Sequence, residues 1–170
     1  MLYTENDLQA VTAQMKKRRA VLLAVLGIAL VLMVLNYVVL RLPVRADIKS
    51  GHQNDYLYLY YIIALAALFF SVFWTDLFMR PVKAYQRLLT HALHGRTRQY
   101  EYTYRDRESE TVMRDAVKLV PLTMTEGDPK DEKNERLLYY DALLPFPEWK
   151  TGETLRLITH DKVIVGWERI

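Results

Sequence analysis

The chain of 170 residues contains no cysteine. This excludes disulfides, thiol catalysis and cysteine-based zinc or iron–sulfur sites, but it selects no compartment. Serine is almost as scarce where chemistry would need it. Ser109 is the only one after Ser71, and no G-x-S-x-G surrounds it. No glycine-rich phosphate loop, H-E-x-x-H or calcium-loop spacing occurs either. The sequence therefore leads us to expect no cofactor, no metal and no catalytic residue.

Long uncharged runs are present in their place. Ala20–Leu40 is free of charge and follows directly on Lys16, Lys17, Arg18 and Arg19. As a helix it covers roughly 30 Å, the thickness of a bilayer's hydrocarbon core. It exceeds the run of about 7–15 residues of a signal peptide, and no small-x-small cleavage site precedes Arg41, so it reads as a spanning helix. The basic cluster reads as a membrane-surface anchor rather than a lipid-specific site. Thr4 and Asp7 resemble a capping box, and nothing breaks the helical pattern from Glu5 to Leu40.

Mean hydropathy is −0.07, a value that averages two unlike halves. Residues 1–95 hold 10 Lys/Arg and 5 Asp/Glu, whereas residues 96–170 hold 13 and 15. The basic excess flanks the apolar runs, where anionic headgroups lie, and the second half is slightly acidic. That distribution argues against a nucleic-acid partner.

A polar connection over residues 41–55 leads to a second span over residues 56–79. Tyr56, Tyr58, Tyr60 and Tyr61 crowd its start; Phe73, Trp74 and Phe78 lie near its end, as interfacial aromatic belts do. Asp76 is its one acidic residue. An intramembrane carboxylate suggests ion or proton handling, but Arg80 at i+4 makes an interfacial ion pair the simpler reading. Lys/Arg counts near the spans favour both termini in the cytoplasm of a multi-pass cell-membrane protein. Pro81 should kink or restart the helix. Residues 82–94 then form an amphipathic helix, with Val82, Tyr85, Leu88, Leu89, Ala92 and Leu93 on one face and Gly95 as its stop. His91 and His94 have ligand spacing without a third ligand, so solvated helix-end histidines are expected.

From Arg96 the period becomes two. Tyr100, Tyr102 and Tyr104 share one face, a possible ligand platform set against the plainer reading of core or rim packing. Residues 112–124 read as one bent strand or two broken near Asp115; 126–135 is a charged loop; 136–144 is a strand. Residues 154–159 and 163–167 form a hairpin across His160-Asp161-Lys162, with Gly166 placed for a bulge or close contact. His160-Asp161 and Asp141 are weak acid–base candidates that read better as turn residues.

The expected fold is an α+β membrane protein: a two-span transmembrane hairpin with a C-terminal small antiparallel β-barrel, OB- or SH3-like. Its domains would be 1–95 in and at the membrane and 96–170 as the barrel. This layout is similar to that of NfeD-type membrane proteins, a resemblance that assigns no residues. The expected function is non-enzymatic: an accessory or scaffold subunit holding an interaction module at the bilayer, partnered by lipid and by another protein or a second copy. The alternatives are an oligomeric transporter or channel using Asp76, and, more weakly, a membrane-bound enzyme.

Overall fold

The computed structural model describes residues 1–41, 55–127 and 134–170. Most of the loops read at 41–55 and 126–135 therefore lie outside the described residues. By packing, the chain divides into two compact units: residues 13–80, and residues 1–12 with 81–170. The amphipathic helix and the N-terminal segment thus pack with the strands.

The first unit is helical. Helix α1 runs Glu5–Asn36 without a break and ends in a π-helical turn, Tyr37–Arg41. Its start is the capping box read from sequence. Thr4 Oγ1 and the Thr4 N–H each donate to Asp7 at 2.8 Å, and the Asp7 N–H returns to Thr4 Oγ1 at 3.4 Å. These bonds hold the Asp7 carboxyl below its ordinary range. Helix α2, Asp55–Trp74, passes through a second π turn, Thr75–Met79, into α3, Arg80–His94. Pro81 neither breaks nor restarts this path. The widened turn before it relieves the contact between the proline ring and the carbonyl four residues back. The Arg80 N–H reaches back to the Thr75 carbonyl.

Among the described residues two helices are long and apolar enough to cross a membrane, and protein covers little of their apolar surface. Leu23 is 67 % exposed and Phe69 is 72 % exposed. Side chains of this kind left bare over two long helices are far costlier in water than scattered exposed leucines. Both helices suit a lipid surrounding.

The second unit is built on one six-stranded sheet: β1 Arg98–Arg107, β2 Val112–Arg114, β3 Val117–Thr125, β4 Glu135–Asp141, β5 Thr154–His160 and β6 Val163–Arg169. The order is β1-β5-β6-β4-β3-β2, with a further pairing of β1 to β3. The ambiguity near Asp115 resolves into two strands. Asp115 and Ala116 both adopt left-handed backbone (φ 50° and 62°), as a two-residue hairpin turn requires. One pairing corrects the antiparallel expectation: β4 meets β6 in parallel at Tyr139↔Val163. The chain reverses twice between them, once before β5 and once after it, so the two strands run the same way.

The core joins Leu122, Met124, Leu138, Leu155, Leu157 and Ile164 to an aromatic cluster around Trp149. A second cluster seats α3 and the start of α1 on the sheet through Tyr3, Leu89, Ala92 and Val165. The apolar face predicted for residues 82–94 is used in this way. Opposite the step from Ile158 to Thr159, β6 carries Val165 as an extra residue, a bulge. The freed Val165 carbonyl accepts the Leu2 N–H at 2.9 Å. At the neighbouring Gly166 a Cβ would lie 3.3 Å from the Met1 backbone and 3.2 Å from Ile158, so its missing side chain makes room for the N-terminal segment.

Candidate functional site

Three polar arrangements stand out in the strand-bearing unit. The first is Asp141, wholly buried at the end of β4. Its carboxylate accepts from Tyr85 Oη at 2.7 Å, from Tyr3 Oη at 3.1 Å and from the Leu143 N–H at 2.9 Å. The last is the turn bond expected of an aspartate ending a strand. The two tyrosines tie the N-terminal segment and α3 to the same atom. Burial, then the Asp141 carboxylate, pushes the Tyr3 hydroxyl far above its ordinary 10.0, and the Tyr85 hydroxyl rises for the same causes. Asp141 is thus a structural anchor with every observed partner donating.

This geometry has an alkaline consequence. Below the ordinary tyrosine value of 10.0, Tyr3 keeps its proton folded and unfolded; above it only the unfolded chain releases the proton. Stability should therefore fall beyond that pH, with Tyr3 contributing up to about 1.4 kcal/mol per pH unit. In Tyr3→Phe the fall should be shallower, as urea titrations at about pH 8 and about pH 11 would reveal. An unchanged slope would mean that Tyr3 titrates alike in both states.

The second arrangement is a cleft of about 450 Å³ between α3 and the sheet. Leu88, Val117 and Val163 contribute its apolar lining, and Arg87, His91, Arg114 and His160 its basic one. The rings of His91 and His160 stack at 5.0 Å with planes 5° apart, and His160 Nδ1 donates to the Arg96 carbonyl at 3.0 Å. Asp161 sits in the turn with φ 46°, 3.8 Å from His160 Nε2. His94 lies instead 3.4 Å from Glu5. His91 and His94 therefore face different partners, and among the described residues no three potential metal ligands converge.

The third is a groove of about 670 Å³ beside the first half of β1, lined by Arg96, Arg98, Tyr100, Leu137 and Lys162 among others. Here the tyrosine ladder divides. Tyr102 and Tyr104 are 6 % exposed and belong to the core, where Tyr104 meets Trp149 edge-on at 5.7 Å. Burial pushes both hydroxyls up. Tyr100, 40 % exposed, leans edge-on against Tyr102 at 6.1 Å and alone of the three offers an open ring. Leu137, which lines the same groove, is 41 % exposed. Three acids line it as well: Glu126 meets Arg136 at 3.3 Å, Glu135 is held by Arg105, and Asp161 lies 3.8 Å from His160 Nε2. Arg96, Arg98 and Lys162 have no carboxylate within 4.0 Å among the described residues.

In the helical unit, Lys16, Lys17 and Arg19 are exposed, while Arg18 is partly covered. Its guanidinium donates to the Phe78 carbonyl, and Trp74 Nε1 donates to the Arg18 carbonyl at 3.1 Å. One member of the basic cluster thus clasps α1 to the end of α2, a role that charge pattern alone does not suggest. Arg80 donates to Asp76 at 3.0 Å, with both side chains largely exposed. Comparisons with family models, curated proteins and solved structures find no match to this chain.

Proposed function

We propose that the chain is a non-enzymatic membrane protein whose two apolar helices hold a small binding barrel on the cytoplasmic side, as an accessory or scaffold subunit. The helices supply the anchor, because their side chains are left uncovered by protein. The barrel reading draws support from strand pairing. The path β1–β3–β4–β6–β5 returns to β1, the closed order of a five-stranded Greek-key barrel of the OB kind. Orientation rests on the basic residues Lys16–Arg19 before the first span and Arg80, Lys83 and Arg87 after the second.

The observation that carries a binding role is the groove at Tyr100. It combines an open aromatic ring, an exposed leucine and three cations without a carboxylate partner among the described residues. Buried interface cores favour aromatics and arginine, so this mixture suits recognition of another protein. Affinity capture of the intact chain in mild detergent tests the reading. A stoichiometric protein partner is expected, with recovery cut by Arg98→Glu together with Lys162→Glu. Recovery of the chain alone, as a monomer, would overturn it.

A further inference from the structure

We propose that the open edge of β1 accepts an extended, acidic segment of a partner protein as an added strand; this rests on the binding-module reading above and gives that partner its chemistry. Strand β1 is paired to β5 along Arg98–Thr103, but its pairing to β3 begins only at Thr103↔Thr125. On that side, residues 98–102 have no ladder partner among the described residues. Residues 98–101 are exposed as well.

The direction of the backbone groups follows from Tyr104. Its N–H donates to the Glu153 carbonyl at 2.9 Å, and its carbonyl accepts from the Gly152 N–H at 2.8 Å, so it bonds towards the β5 side. Successive residues of a strand aim their backbone groups to opposite sides. Tyr102, Tyr100 and Arg98 therefore bond towards β5, and Glu101 and Gln99 turn theirs to the open edge. Such an edge is a template for another strand.

Charge and shape select the occupant. Arg98 and Tyr100 share one face of β1 with Tyr102, and Arg96, Lys162 and Leu137 line the same groove. An incoming strand of alternating acidic and β-branched residues would set its carboxylates near these cations and its apolar side chains against Tyr100 and Leu137. The edge offers N–H and C=O groups in alternation. A peptide strand answers both, whereas a phosphodiester backbone carries acceptors and no donors to meet the carbonyls. A protein segment is thus favoured over nucleic acid.

The test uses the full chain in neutral phosphatidylcholine nanodiscs and a fluorescein-labelled Glu-Val-Glu-Val-Glu-Val peptide, read by anisotropy. The probe should bind roughly tenfold or more tighter than its Lys-Val counterpart and than the same peptide N-methylated at alternate amides, which keeps charge but loses strand bonding. Gln99→Pro, which removes one outward N–H, should weaken it by roughly tenfold, as should Arg98→Glu with Lys162→Glu. Arg114→Glu, in the other cleft, should leave binding unchanged. Far-UV circular dichroism checks that each variant is folded, and the paired charge reversal keeps the test open if Gln99→Pro is not. Equal binding of the N-methylated peptide, or full binding by the paired charge reversal, would overturn the proposal. So would no peptide binding at all, or tighter binding of oligo-dT or of phosphatidylserine vesicles. A protein partner captured in detergent alongside failed peptide binding would sink strand addition alone; a lone monomer in that capture would sink the binding module itself.

Discussion

Asp141→Ala should cost the strand-bearing unit about 3–5 kcal/mol, a large share of a small domain's stability. The substitution leaves Tyr3 Oη, Tyr85 Oη and the Leu143 N–H without their common acceptor. Each stranded donor costs about 1–3 kcal/mol, and water entering the vacated space recovers part of the sum. Asp141→Asn should cost less, since the amide keeps one acceptor oxygen. Urea titration of the full chain in micelles measures both. Tryptophan fluorescence follows this unit once Trp74→Phe has removed the only indole outside it, leaving Trp149 and Trp167. A loss under about 1 kcal/mol would mean that the two tyrosines do not hold the carboxylate in solution.

The second large effect concerns the spans. Leu65 and Leu68 lie near the middle of α2 and are 64 % and 63 % exposed. If lipid surrounds them, Leu65→Arg with Leu68→Arg should oppose insertion by roughly 6 kcal/mol, about 3 for each arginine near a helix centre. Because α1 still anchors the chain, the double variant should then leave the strand-bearing unit outside, where a cysteine placed at Glu168 is labelled in intact cells by a membrane-impermeant maleimide, while in the parent chain it is not. On a water-exposed helix the same changes would be worth no more than about 0.5 kcal/mol each and leave labelling unaltered. The readout therefore separates lipid from water as the surrounding of α2.

Local signals made much of the architecture legible. Thr4 and Asp7 mark the start of α1 because capping is chemistry within three residues. The face Val82–Leu93 identifies a helix with one buried side because its period is 3.6. Near Asp115 the sequence left one bent strand or two strands open, and the left-handed backbone at Asp115 and Ala116 decides for two. Convergence across the chain was not legible. Tyr3 and Tyr85 meet Asp141 from 138 and 56 positions away, and no local pattern encodes that meeting. The stacking of His91 on His160 is hidden for the same reason.

The tyrosine ladder illustrates a different gap. Alternation puts Tyr100, Tyr102 and Tyr104 on one face but does not say where along the strand the core ends. That boundary depends on where β3 stops, at Thr125, a feature of another part of the sequence. The N-terminal segment offered still less. Met1–Thr4 has no period to read, and its seat beside β6 depends on the Val165 bulge and on space left at Gly166.

The proposed arrangement has α1 and α2 crossing the membrane as a hairpin, with the strand-bearing unit on the cytoplasmic side. A chain without cysteine lends itself to a direct measurement, because any single introduced thiol labels without background. Gly51→Cys, in the connection between the helices, and Glu168→Cys, at the exposed end of β6, are each treated in intact cells with a membrane-impermeant maleimide. Labelling is expected at position 51, and none at 168 until the cells are opened. Labelling at 168 in intact cells would contradict it.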